Sequence, residues 1–323
     1  MQASPPSGNT QGKDLLSPTV SVVIPTLNEE RNLPHVFAKL PDTITEVVLV
    51  DGGSIDNTIA VARALRPDVT VIQQTRTGKG NALACGFAAC TSDIIVMIDA
   101  DGSTDPTEIP HFITSLTTGA DFVKGTRFGP GGHSHDITPL RKLGNDGLNL
   151  VVNLLFKTRF TDLCYGYNAF WTRVVPTLDL PDTALPRRTD GRKHWGDGFE
   201  IETLINIRAA ADGLTVTEVP STEHARIHGT SNLNTFRDGT RVLRTILSEY
   251  RRMRRHRRTT GTTTATAGAT ATHTSAPRAV APINPTIAPG LTHLVNERRL
   301  PTRPTPIRRT GGVASQTPAR VED

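Results

Sequence analysis

Cysteine is scarce in this chain. Three in 323 residues, Cys85, Cys90 and Cys164, form an odd set with no metal-ligand spacing. A disulfide framework and a zinc site are both excluded, and the three read as packing residues of a reduced, cytosolic protein. Long apolar runs are missing too. None reaches the roughly 20 residues of a bilayer-spanning helix, so no membrane-spanning segment is expected. Residues 1–18 lack the apolar core of a secretory signal; rich in Ser, Pro, Gly and Gln, they read as disordered. Large apolar residues are also sparse from Thr259 to Asp323, first Thr/Ala-rich and then Pro/Arg-rich, and this tail reads as disordered.

Acidic residues are few at the C-terminal end. From Arg251 onward 13 Arg and Lys face 3 acids, a net of +10, whereas the rest of the chain carries 23 against 28, a net of −5. The overall +5 therefore belongs to the tail, and an anionic partner surface, membrane or nucleic acid, is implied for it.

What the chain does have is a regular alternation of apolar runs and helix-length segments. Strands are expected at Val20–Ile24, Glu46–Val50, Val69–Gln73, Ile94–Ile98, Asp121–Lys124 and Thr215–Val219. Helices are expected between them, with later ones over Leu140–Phe156, from Gly198 to about Ala211 and over Asn234–Arg258. Such alternation implies βαβ units, an α/β fold and a mainly parallel sheet. Right-handed crossovers put the loops after the strands on one edge, so Asn28, Asp51, Lys79, Asp99 and Asp101 are expected to gather there. The run Asp93–Asp105 is central. A buried strand ends in Asp99 and Asp101, Gly102 allows a sharp turn, and Asp105-Pro106 opens the next helix. The two carboxylates suit a hard divalent cation, or they are strand-end turn formers.

Other segments leave two readings open. Gly125–Pro139, with its Gly129-Pro-Gly-Gly132 run, is a lid or an ordinary connecting loop. The helix over Asn234–Arg258 keeps Val242, Leu243, Ile246, Leu247, Tyr250 and Met253 on one face and carries a basic end. It lies on an anionic membrane or packs against the domain.

Four ordered motifs, Val22-Val-Ile-Pro-Thr-Leu-Asn-Glu-Glu30, Val50-Asp-Gly-Gly-Ser-Ile-Asp56, Gly78-Lys-Gly-Asn81 and Asp99-Ala-Asp-Gly102, resemble glycosyltransferase family 2 with its GT-A nucleotide-sugar-binding fold. Arg127-Phe128, Thr161-Asp162, Gly166-Tyr-Asn-Ala-Phe170 and Val219-Pro220 followed by Arg226 and Gly229-Thr-Ser231 resemble, within it, the dolichyl- or polyprenyl-phosphate mannose and glucose synthases. Gly52 and Ser103 depart from the family pattern, where an acid and a Gln are frequent. The Gln-x-x-Arg-Trp signature of processive polymerising relatives is absent.

The resemblance implies a nucleotide diphosphate sugar donor of GDP-mannose or UDP-glucose type. Pro25, Asn28 and Glu29 would line its nucleoside pocket, Asp51 would meet the base, and Lys79, at a helix start, would face the nucleotide side. Asp101 would bind Mg²⁺ or Mn²⁺, and Asp99 would contact the ribose or help hold the metal. Arg127, Arg226 and His224 would cradle a polyprenyl phosphate, with Ser231 as a donor. Glu200 would be the base, with Asp197 and Glu202 as competitors. The expected domains are residues 19–250, split into a nucleotide-sugar part (19–125) and an acceptor part (126–250), then a basic helix end (251–258) and the tail (259–323). The expected activity is inverting hexosyl transfer to a polyprenyl phosphate at the cytoplasmic face of the membrane. The basic helix would be the peripheral contact, and no nucleic acid is expected. Two rivals are the same chemistry on a soluble acceptor and a non-catalytic binding protein with a basic tail.

Overall fold

The computed structural model describes residues 17–229 and 235–264. Expectations for residues 1–16, for Ser231 and for residues 265–323 lie outside them.

Four strands open the sheet: β1 (Val20–Thr26), β2 (Glu46–Asp51), β3 (Thr70–Gln73) and β4 (Ile94–Met97). All pair in parallel, in the order β3-β2-β1-β4. The crossovers carry α1 (Leu33–Phe37), α2 (Thr58–Leu65) and α3 (Lys79–Ala89). The sheet continues as β7-β5-β8, from β5 (Phe122–Thr126), β7 (Asn168–Trp171) and β8 (Val216–Pro220). β7 runs antiparallel between β4 and β5, whereas β5 and β8 are parallel. The expected mainly parallel α/β sheet is thus present, with one reversed strand at its centre.

β1, β2 and β4 read as largely apolar runs because both faces of the sheet are covered there. Val22, Ile24, Val47, Leu49 and Val96 pack on one side with Leu33 of α1 and with Ile109 and Phe112 of α4 (Ile109–Thr117). Val23, Val48, Val50, Ile95 and Met97 pack on the other with Leu83 and Phe87 of α3 and with Leu204 and Ile205 of α6 (Ile201–Ala211). The period of two divides each strand between two cores. A helix inside such a core must be apolar all round, and Gly80 to Phe87 of α3 are buried without a break.

The loop after β5 is a pinned connection. Its short strand β6 (His133–Ser134) pairs with β9 (Thr222–Glu223), and the His133 and His135 amides donate to the Ser221 and Glu223 carbonyls at 3.0 and 2.9 Å. The long C-terminal helix α7 (Thr235–Thr264) runs six residues past Arg258 and packs on α5 (Pro139–Phe156) and α6. Ile246 is fully buried, and Tyr250 meets Phe156 edge-on at 5.9 Å. The packed reading holds for that face. Leu243, Arg244 and Leu247 stay exposed.

Candidate active site

Where β4 ends, the Ile98 amide still donates to Val23 of β1, at 3.2 Å; beyond it the chain leaves the sheet with Asp99 and Asp101. Gly102 takes φ +77, where a side chain would be strained and would strike Ile227 at 2.6 Å. Asp101 accepts from the Ser103 amide at 2.9 Å, and its other oxygen lies 3.0 Å from an Arg226 guanidinium nitrogen. Asp99 accepts from Lys79 Nζ at 2.5 Å, and the same ammonium also donates to Glu202. Burial opposes charge on Lys79, but Asp99 and Glu202 outweigh it and hold its pKa above the ordinary lysine range. Glu29 accepts from Asn32 Nδ2 at 2.6 Å. Burial first, then the charges of Asp101 and Asp99, raise its carboxyl above the usual range. One sheet edge therefore gathers four acids and two cations.

Arg226 is held there by a strap, residues 222–229. The His224 amide donates to Ser103 O at 2.8 Å, the Ile227 amide to Asp101 O at 3.2 Å, and Asn32 Nδ2 to His228 O at 3.3 Å. The His224 ring stands 3.3 Å from Asp105.

The residues expected around the nucleoside lie on the same edge, but much of their bonding is local. Pro25 pairs with Val50 inside the sheet. Asn28, at φ +60, accepts from the Ile55 amide at 2.9 Å and donates its own amide to Ser54 Oγ. Asp51 is buried and accepts from the Gly53 and Ser54 amides at 2.9 and 3.2 Å and from Gln73 Nε2 at 3.2 Å. Asn28 and Asp51 thus shape the turns that end β1 and β2.

Three expected roles look different in the structure. The start of α3 is closed to an anion: the Gly80 and Asn81 amides both donate to Asp197 O, at 2.9 and 3.2 Å. Gly78 and Gly80 serve that close backbone approach, since a Cβ on either would lie about 2 Å from a carbonyl oxygen of residues 196–197 (2.1 and 1.8 Å). Arg127 is not turned to the site. Its Nε and one terminal nitrogen grip the fully buried Asp162 at 2.7 and 2.9 Å, the other nitrogen holds Glu223 at 2.9 Å, and Tyr165 lies under the guanidinium. Glu200 folds back onto its own loop, accepting from the Gly196 and Gly198 amides at 3.0 and 3.1 Å. Glu202 is the acid that reaches Lys79, and Asp197 instead forms a buried bidentate pair with Arg76 at 2.7 and 2.8 Å. The spacing offered a clue to Glu202, because residues two apart on a helix face different ways and Glu200 and Glu202 could not both point at the site.

The donor set fits a hard divalent cation. Asp99 and Asp101 are oxygen ligands one residue apart, and the Asp99 side chain keeps 30% of its exposure. Among the described residues no group of three His, Cys, Asp or Glu could enclose a metal. One or two carboxylates completed by substrate phosphates and water is the arrangement Mg²⁺ favours. Lys79 and Arg226 meanwhile neutralise the two acids.

The sequence model of "Glycosyl transferase family 2" matches residues 21–175. The chain is 32% identical to the undecaprenyl-phosphate mannosyltransferase of Micrococcus luteus over 67% of its own length and 87% of that protein. It is 31% identical to the polyprenol monophosphomannose synthase of Mycolicibacterium smegmatis over 66% of its own length and 80% of that one. Glucosyl-3-phosphoglycerate synthase from Mycobacterium tuberculosis, solved with Mn²⁺, uridine diphosphate and phosphoglyceric acid, shares the fold. That match has a TM-score of 0.55 at 23% identity, over 72% of this chain and 78% of that one.

Proposed function

The chain belongs to glycosyltransferase family 2, and from that premise we propose that it transfers a hexose, with inversion, from a nucleotide diphosphate sugar to a polyprenyl phosphate at the cytoplasmic face of a membrane. The observation that carries this reading is the end of β4. Two acids suited to a cation and one guanidinium suited to a phosphate stand within one strap's reach of each other. Two relatives whose names contain undecaprenyl phosphate and polyprenol support the acceptor.

In this reading Asp99 and Asp101 would hold Mg²⁺ or Mn²⁺, which would supply positive charge to offset that on the departing nucleoside diphosphate. Pro25, Asn28, Glu29 and Asp51 border the nucleoside end. Lys79, fixed between Asp99 and Glu202, holds the Asp99 carboxylate in place. A lipid monophosphate has a second pKa near 6 and is largely dianionic at neutral pH, so it needs positioning more than a general base. Arg226 would exchange Asp101 for a phosphate oxygen, and His224 stands on the same strap. Arg127 acts one step back, fixing Glu223 at the strap's root.

The test is incubation with labelled GDP-mannose and UDP-glucose, with and without polyprenyl phosphate, followed by lipid extraction. Label in the organic phase only when the lipid is present, and lost on chelation of divalent cations, supports the reading. Label transferred only to a soluble acceptor overturns it.

A further inference from the structure

Arg208 and Glu249 form a buried pair between α6 and α7, at 2.9 and 3.1 Å, that no step of the proposed chemistry uses. The same carboxylate accepts from the Trp195 indole N–H at 3.0 Å. That bond holds the Trp195 ring at the surface with 40% of its area exposed. Two basic basins meet at this ring. One, about 640 Å³, is lined along α7 by Arg244, Arg252 and Arg255. The other, about 370 Å³, is lined by Arg188, Arg192, Lys193 and Arg241, with Phe199 49% exposed beside them. Each basin contains one carboxylate, Glu249 or Glu200, and both are already bonded internally. Asp179 and Glu249 take up Arg252, and Asp190 takes up Arg188, so the positive charge each basin offers is carried by Arg244 in the first and by Arg192 and Lys193 in the second. Leu243 and Leu247 add exposed apolar area on α7.

We propose that loop 186–199 and the outer face of α7 together form a docking surface for an anionic phospholipid bilayer, with Trp195 and Phe199 seated at headgroup depth. An aromatic ring with a bonded polar end, ringed by arginines, matches the boundary where lipid phosphates meet acyl chains. Arg192, Lys193 and Arg244 would hold the phosphates, and the rings and leucines would enter the apolar margin. The exposed apolar residues favour a lipid over a nucleic acid, whose phosphates would use the arginines but leave Leu243 and Leu247 without a partner. The proposal deepens the reading of a membrane-borne acceptor and rests on it for its purpose. It adds the loop as a second, separate element to the basic helix. The loop also touches the catalytic edge, since Lys193 Nζ lies 3.2 Å from where a Cβ on Gly78 would be.

The full chain is floated with vesicles of phosphatidylcholine alone or with about one third phosphatidylglycerol. It should bind only the anionic vesicles and release in high salt. Brominated lipid should quench the emission of the wild type but not that of Trp195→Phe. Arg192→Glu on the loop and Arg244→Glu on α7 should each weaken binding about tenfold, and more together, at unchanged Tm. Three results overturn the proposal: Arg192→Glu binding as well as the wild type, no quenching on vesicles that do bind, or capture by oligonucleotides without vesicle binding. Transfer to a short-chain polyprenyl phosphate in detergent is measured in parallel. Vesicle binding without such transfer would remove the proposed function and leave the surface standing; transfer by a chain that ignores vesicles would do the reverse.

Discussion

The surroundings of Asp162 and the strap after β9 each carry one motif arginine, and the two arginines are opposites. Arg127 keeps 6% of its side-chain exposure, commits three nitrogens to two carboxylates and lies over an aromatic ring. Arg226 keeps 33% and makes one ion pair, with Asp101. A buried bidentate pair cannot be exchanged for a ligand without stranding a charge, whereas a half-exposed single contact can. A motif therefore reports that a cation is needed; burial and the number of partners decide whether the fold or a ligand needs it.

The largest effect is expected at the acid that Arg226 covers. Asp101→Ala should lower transfer about 10³-fold or more while moving Tm by only a few degrees. Turnover within tenfold of the wild type, measured beside a thermal melt, would place the chemistry elsewhere. The contrast itself is tested next by denaturant unfolding. Arg127→Ala should cost about 3–5 kcal/mol or fail to fold, because Asp162 is left buried and unpaired. Arg226→Ala should stay within about 1 kcal/mol and show its loss in transfer. Equal destabilisation of the two variants would erase the distinction.

Smaller differences sharpen the picture. Glu202→Gln should reduce transfer about tenfold, or about 1.4 kcal/mol, by weakening the hold on Lys79 and Asp99. Glu200→Gln should change it less than about threefold, since its partners are backbone amides of its own loop. The smallest effect belongs to Lys124, fully buried beside Asp162, with Nζ on Tyr165 O at 2.6 Å. Burial depresses its pKa below the ordinary lysine value, although Asp162 and Glu218 resist. With the folded pKa below the unfolded one, the unfolded chain binds more protons, and this residue adds stability as pH rises. Lys124→Met should therefore compare best with the wild type at pH 7. The wild type should gain on it between pH 7 and about 10.5, read as the difference between two melting curves.

β1, β2 and β4 were legible because both faces of the sheet are covered there, so each wrote itself as a largely apolar run; β8 alternates as Val216-Thr-Glu-Val-Pro220, and the reversed β7 was not among the expected strands. Asp99, Asp101 and Asp51 were legible because they stand where such runs stop. The partners were not. Arg127 meets Asp162 across 35 residues and Arg76 meets Asp197 across 121, and no local pattern encodes who answers a buried charge. Asp162 carried a faint signal: an acid between Phe160 and Leu163, both buried, must find a cation. The closure of α3 was invisible for another reason. Gly-Lys-Gly reads alike whether the glycines admit a phosphate or a neighbouring carbonyl, and only the path of residues 196–198 decides.

The reversed strand β7 also sets a timetable. β4 is complete by Met97, yet its outer edge waits for Asn168–Trp171, and the first amides of α3 wait for Asp197. A ribosome adding about 5–20 residues per second would hold a four-stranded parallel sheet with its β4 edge bare for several seconds before the chain could close it. Such an intermediate is a natural client for chaperones, and a fragment ending near residue 125 should aggregate rather than fold.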